Sequence, residues 1–392
     1  MDLNSKNLQK IFSFENIKSK YIVQKIFSYM QENKFLKIIK INKKIQNELD
    51  ISLKDYINYY SKIILTVEVA RFIFNDNDIK FINISKKDMP NFHIYFNNDE
   101  KNEIKRNYLT KDDGDIDEIK IIIDKQVNSF QDLFRGCRDI KKIDFIKFKR
   151  NNIKNMSRVF CGCVNLQEIN FNSFNTENVQ DMSYMFYHCE FLKELDLNKF
   201  KTNNVINLEG MFRDCSKLES VNLDKFNTIK VTNMKNMFYE CTKLKILNLD
   251  SFNTKNVIDM SGMFYNCKTL DEIKLNNFKT NNVKDMSYMF FDCKYLEELN
   301  LNHFYTSKVI DMKYMFYGCW CLKKLNIANF DTKNVKSMNC MFNTCSALKE
   351  LNINKFNINK LVDISGMFKS CSEDLIKKIK NKFKNLRPKA FK

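Results

Sequence analysis

Residues 179–204 read VQDMSYMFYHCEFLKELDLNKFKTNN, one turn of a register that recurs without a slip. Phe186 belongs to the column Phe134, Phe160, Phe186, Phe212, Phe238, Phe264, Phe290, Phe316, Phe342 and Phe368, each 26 residues after the last. A cysteine follows three residues later every time, from Cys137 to Cys371. A strict period of this length marks a solenoid, in which each unit buries its apolar face on its neighbours.

Inside the unit, Met182, Met185, Phe186 and Cys189 follow the i, i+3, i+4, i+7 spacing that predicts one stripe of a short helix. Asp181 stands ahead of that stripe, where a carboxylate caps free backbone N–H groups. Asn207, Asn233, Asp259, Asp285, Asp311 and Asp363 repeat the role. Leu195 and Leu197 then alternate with Glu194, Asp196 and Asn198, the pattern of a half-buried strand. Phe200 returns to the core, and Lys201, Thr202, Asn203 and Asn204 make the turn. Threonine recurs at 176, 202, 228, 254, 280, 306 and 332, as expected of a buried hydroxyl bonding neighbouring turns. With only seven Gly and two Pro, the turns fall mainly to Asn and Asp, which tolerate unusual backbone angles. Stacked units then give a parallel sheet on one face and short helices on the other.

Composition narrows the function. The first twenty residues show no uninterrupted apolar core or cleavage site, and no run approaches a membrane span, so an intracellular, cytoplasmic or nuclear location is expected. Ten of the thirteen cysteines sit on the lattice and read as reduced, buried thiols. Their spacing is unlike a zinc site, and the C-x-C pairs Cys161/Cys163 and Cys319/Cys321 have no second pair beside them. The net charge of +18 gathers at two places: 131–158 holds nine basic against three acidic residues, and 377–392 holds eight basic and none acidic. His93, His188 and His303 lie far apart. No phosphate loop, no paired metal-binding histidines and no nucleophile with a local base are present. The expectation is a non-enzyme with no catalytic residue, cofactor, metal or small-molecule substrate.

Cys241, Leu244, Leu247, Leu249 and Phe252 spell C-x-x-L-x-x-L-x-L-x-x-F, which resembles a leucine-rich repeat. The fuller F-x-T-x-x-V-x-x-M-x-x-M-F-x-x-C resembles the BspA-like class, over about 130–372. The resemblance implies an α/β repeat fold, a right-handed solenoid; the helical apolar spacing of residues 17–58 adds a small all-α module ahead of it. Phe stands where such repeats usually carry Asn after the strand, so no Asn ladder is expected there. Residues 17–58 have helical apolar spacing, and IFSYM followed by FLKIIKINKKIQNEL resembles an F-box, although the Leu-Pro that opens one is absent. That likeness implies contact of Ile22, Ile26, Phe27, Leu36 and Ile39 with a Skp1-like adaptor of a ubiquitin ligase.

The organisation expected is a helical module at 1–70, a cap with short strands at 71–130, the solenoid at 131–372, and a basic cap helix and tail at 373–392. The strand face offers Glu194, Asp196, Asn198, Asn222, Asp224, Asn248, Asp250, Glu272 and Asn300, amide-rich and net acidic. It would repel a polyphosphate and suits a protein partner. Tyr187, Tyr239, Tyr265, Phe291 and Tyr317, with Trp320, form an aromatic edge that reads either as a partner anchor or as packing between units. The function expected is a protein-interaction scaffold, a ligase substrate receptor if the N-terminal likeness holds. The alternatives are a BspA-like surface adhesion protein, and a nucleic-acid or membrane-surface binder acting through the basic ends.

Overall fold

The computed structural model describes residues 61–70, 78–358 and 362–392. The chain divides into two units, residues 1–62 and 63–392. The residues of the F-box-like reading, Ile22, Ile26, Phe27, Leu36 and Ile39, lie outside the described ones.

The second unit opens with β1 (Ile63–Val69). Its sequence IILTVEV is β-branched and alternating, and suits a strand. The expectation of a helical module reaching residue 70 is therefore corrected at its last turn: Ile63, Leu65 and Val67 are buried on one face of a sheet. β2 (Ile79–Lys80), β3 (Phe92–Phe96), β4 (Tyr108–Leu109) and β5 (Ile119–Ile123) follow. β1 pairs antiparallel with both β5 and β6 (Ile140–Lys147), and β3 pairs antiparallel with β5. β6 then pairs in parallel with β7 (Glu168–Asn170). One strand thus closes an antiparallel cap on one edge and starts the repeating sheet on the other.

The repeat strands are three residues long: β8 (Glu194–Asp196), β9 (Ser220–Asn222), β10 (Ile246–Asn248), β11 (Glu272–Lys274), β12 (Glu298–Asn300) and β13 (Lys324–Asn326). They pair in parallel two by two, β8 with β9, β10 with β11, and β12 with β13. The central residue of the strands from β7 to β12 follows this doubling, which ends at Leu325 in β13. Ile169, Val221 and Ile273 alternate with Leu195, Leu247 and Leu299, so a 52-residue period overlies the 26-residue one.

Among the described residues, the expected helices on the opposite face are not there. The Met-Phe-x-x-Cys stretch is instead a chain of turns whose N–H groups point alternately outward and back. Met182, Tyr184, Phe186 and His188 donate to the carbonyls of Asn207, Glu209, Met211 and Arg213 in the next unit. Between them, Met185, Tyr187 and Cys189 donate three residues back, to Met182, Tyr184 and Phe186. The same four forward rungs recur between every adjacent pair of the ten units, ending with Met338, Cys340, Phe342 and Thr344. This alternation needs left-handed backbone two residues before and two after each signature Phe, and both positions have positive φ in all ten units. Six of the seven glycines occupy them; elsewhere Tyr, Asp, Asn, Glu, His, Arg, Cys, Thr or Ser adopts the strained form. The sequence spacing misled because chained i→i−3 turns bury every third residue, much as a helical stripe does.

The core between the two faces is a stack of identical residues. Phe212 and Phe238 lie 5.2 Å apart and nearly parallel, as do Phe264 and Phe290. A second stack runs Phe226, Phe252, Phe278, Phe304. Burial of such aromatic and aliphatic surface is the main source of stability.

Both ends are closed. At the first unit, the Asn83 N–H and amide donate to the carbonyls of Leu133, Asp132 and Arg135. At the last, α1 (Glu373–Lys382) is capped by the Ser372 side chain and buries Leu375 and Ile379. A 3-10 turn, Pro388–Phe391, follows. Its Lys389 and Ala390 carbonyls accept the N–H groups of Gly366 and Phe368, and the Phe391 ring stacks on Phe368 at 5.8 Å. This turn imitates one more unit.

Candidate interaction surfaces

Every lattice column that resembled chemistry in the sequence has a structural partner in the fold. The Asp181 column forms Asx turns rather than helix caps: Asp181 Oδ1 accepts the Ser183 N–H at 2.8 Å, and Asp259, Asp285 and Asp363 do the same. The Thr254 hydroxyl donates to the Lys279 carbonyl at 3.0 Å and accepts the Lys279 N–H at 2.7 Å. Thr176, Thr202 and Thr280 repeat this two-way bridge. His303 occupies a position where Ser173 and Ser251 bond the previous unit's carbonyl, and its Nε2 lies 2.8 Å from the Leu275 oxygen.

The cysteines are more than small apolar fillers. Cys189 Sγ–H donates to the Phe160 carbonyl at 3.1 Å, and the pattern continues through Cys371 and Phe342. Burial pushes the Cys137 and Cys371 thiols up to about 12 and holds the eight between them higher still. Nucleophilic chemistry needs thiolate, which these positions suppress. Among the described residues, no group of three or more His, Cys, Asp or Glu is placed to hold a metal ion. No helix among them is long and apolar enough to cross a membrane.

One column was missed in the sequence. Asn178, Asn204, Asn256, Asn282 and Asn334 donate side-chain N–H groups to carbonyls 27 residues earlier, at 2.6–3.0 Å. An Asn ladder therefore exists, before the buried Val rather than after the strand. The signal was the N-V dipeptide following each Thr, which a reading of Asn as a turn residue absorbed. Lys230 and Lys308 replace it in two units, and their ammonium groups reach Asn204 and Asn282 Oδ1 at 2.7 Å.

On the strand face, Glu194, Asp196, Asp224, Asn248, Glu272 and Asn300 are exposed, and Asn198, Asn222 and Asp250 half-buried. Their bonds are largely local: Asp196, Asn222, Asn248 and Asn300 accept the N–H two residues on. Two carboxylates also reach the next unit: Asp250 accepts the Asn276 N–H and amide, and Asp224 accepts the Asn248 amide at 3.3 Å. The carboxylates of Glu194 and Glu272 stand outward, and Ile246 between them is 59% exposed.

The aromatic edge closes on itself. Tyr239, Tyr265, Phe291 and Tyr317 stack nearly parallel at centroid distances of 4.2, 4.5 and 4.7 Å. Arg213 fills the column's missing ring, its guanidinium 5.8 Å from Tyr187 and 4.3 Å from Tyr239. Burial, then the neighbouring Tyr239, pushes the Tyr265 hydroxyl up to about 12. Tyr184 lies over Gly210, where an added Cβ would meet the ring at 2.5 Å. Ring faces already in contact leave only edges to a ligand. Trp320 stands apart, 50% exposed, with Lys294 4.6 Å from its ring.

A family model described as Mycoplasma protein of unknown function, DUF285, matches residues 128–246, 207–320, 233–350 and 296–385. The chain belongs to the DUF285 family. The DUF285 matches start just before Phe130, the first donor of the forward rungs, and run past α1. Together the units form a leucine-rich-repeat-type solenoid, with parallel strands on one face and chained turns on the other. No curated protein matches this DUF285 chain. Among solved structures, a TLR13-ssRNA13 complex is 15% identical over 59% of this chain and 35% of that one, with a TM-score of 0.25. A leucine-rich repeat protein from Bacteroides ovatus ATCC 8483 is 17% identical over 59% of this chain and 78% of that one, with a TM-score of 0.22. Nothing in these comparisons supports the F-box-like reading of residues 1–70.

Proposed function

We propose that this protein is a non-enzymatic protein-interaction scaffold whose partner lies on the strand face and is basic. The observation that carries the reading is the set of carboxylates and amides held outward at a fixed interval, while the buried polar columns are used in joining units. A rigid, acidic, amide-rich surface complements a basic partner and steers its approach. The ligase-receptor version rests on the spacing of residues 17–58 alone and is not carried forward. The test is affinity capture with the full chain beside a Glu194→Lys, Asp224→Lys, Glu272→Lys variant, followed by mass spectrometry. Basic proteins retained by the first and lost by the second support the proposal. An identical set on both, with both chains folded, refutes it.

A further inference from the structure

The solenoid carries a second outward surface, along the turn edge that holds the Asn ladder. Here Ile206, Thr232, Ile258, Lys284, Ile310 and Lys336 form one row, and each donates its backbone N–H to the carbonyl of the row's previous member or, for Ile206, of Gln180. Beside it runs Asn204, Lys230, Asn256, Asn282, Lys308 and Asn334. The two rows enclose a shallow groove of about 550 Å³, lined by Ile206, Lys230, Thr232, Ile258, Lys284 and Lys308 together with ladder asparagines.

Two features of this edge, which runs beyond the groove to Ile310 and Lys336, point to a ligand class. Ile206, Ile258 and Ile310 are 42%, 43% and 41% exposed, and they recur at the 52-residue period rather than the 26-residue one. Large aliphatic side chains turned outward at a regular interval are not explained by the core. The second feature is charge. Neither row contains an acidic residue between 204 and 336, while Lys230, Lys284 and Lys308 line the groove and Lys336 continues the row beyond it. Lys230 and Lys308 contact amide oxygens rather than carboxylates. The nearest acids, Asp259, Asp285 and Asp311, turn one oxygen inward onto the N–H groups of Ser261, Ser287 and Lys313. Asp311 also pairs with Lys313 at 3.1 Å.

Spacing selects the backbone of the occupant. Parallel strands repeat at about 4.8 Å, so the exposed isoleucines stand roughly 9.6 Å apart along the solenoid axis. A polyproline-II helix rises about 3.1 Å per residue with three residues per turn, returning the same face every ~9.3 Å. An α-helix returns a residue to the same face only after about 10.5 Å, from seven residues at 1.5 Å, and drifts three times as fast. Single-stranded nucleic acid is disfavoured because its bases need exposed aromatic faces to stack on, and this edge has none.

We infer that this edge docks an extended acidic peptide in polyproline-II conformation, lying along the solenoid axis with an aliphatic side chain every third residue on Ile206, Ile258 and Ile310 and its carboxylates on the lysines. The surface is separate from the strand face and stands whether or not that face binds anything. The probe is a labelled peptide of Val-Glu-Pro repeated three times, about 28 Å long in that conformation. Fluorescence anisotropy is measured on the full chain. Controls are a peptide of the same composition in scrambled order, the Val-Lys-Pro analogue, and oligothymidylate of equal charge. Saturable binding of the acidic repeat is expected, weakened about tenfold by raising salt from 0.05 to ~0.5 M because the contacts are charge-assisted. The Ile206→Ser, Ile258→Ser, Ile310→Ser variant and, separately, Lys284→Glu, Lys308→Glu should each lose at least about 1.4 kcal/mol, a factor of ten. Glu272→Lys should leave binding unchanged. All these side chains are exposed, so circular dichroism should report the same fold. Equal binding of the scrambled peptide, preference for oligothymidylate, insensitivity to both groove variants, or no binding at all overturns the inference.

Discussion

A residue in this protein is under two obligations, one to its own turn and one to the unit next to it. Thr254 shows the cost of failing the second. Thr254→Val preserves shape but leaves both backbone groups of Lys279 without the hydroxyl that served them, and should lower stability by about 2–4 kcal/mol. Urea denaturation read by circular dichroism measures it; a change below about 0.5 kcal/mol would mean water replaces the hydroxyl at no loss. The opposite sign is expected at Thr344, a β-branched residue at φ 61°. Thr344→Gly should stabilise by about 1 kcal/mol, since left-handed backbone is costly for such a side chain. The threonine column was legible because one residue type recurs. The left-handed positions were not, because Tyr184, Gly210, Asn236 and Tyr288 share a conformation and no side-chain chemistry.

At the scale of elements, the sequence identified the right buried residues and the wrong backbone. Met182, Met185, Phe186 and Cys189 are all in the core, as the spacing predicted. A period near three does not distinguish a helix from chained turns when every outward N–H has a partner one unit away. The strand face was readable for a simpler reason: Glu194, Leu195 and Asp196 alternate strictly, and alternation has one structural meaning. The basic edge was invisible, because its successive lysines are 24 to 54 residues apart in the chain and only stacking makes them neighbours. The terminal turn Pro388–Phe391 gives an element-scale prediction. Deleting residues 385–392 should abolish hydrogen-exchange protection at the Gly366 and Phe368 amides while leaving that of Phe238 intact, because contacts in such arrays reach only adjacent units. Loss of protection throughout would show that the array unfolds as one block.

The whole molecule concentrates one kind of titratable group in its core. Ten lattice thiols are held neutral by burial, with folded values raised above the ordinary 8.5 of a free thiol. In the unfolded chain they ionise from about pH 8.5 upward, so the unfolded state binds fewer protons there. The stability they contribute is fully present below that pH and is lost as pH rises toward the folded values. The limiting slope is about 1.4 kcal/mol per pH unit per thiol, and the ten act together. A steep fall in the denaturation midpoint between about pH 8.5 and 10 is expected, made shallower as successive cysteines are replaced by alanine. A midpoint that stays flat to pH 10 would contradict the placement of that column. The other global property is modularity. Removing residues 257–282 joins Asn256 to Val283 in unbroken register, and the shortened chain should fold with one unit fewer.

The forward rungs give the array a head and a tail. Carbonyls face one end, where Asn83 meets them, and N–H groups face the other, where Lys389 and Ala390 meet them. Two bare heads repel, but a bare tail and a bare head are complementary halves of the same bond pattern. A copy stripped of both closures would be a monomer in the polymer chemist's sense, able to add end to end without limit. Asn83 and the last four residues before Lys392 are therefore chain terminators, and their loss should convert a discrete particle into a fibre.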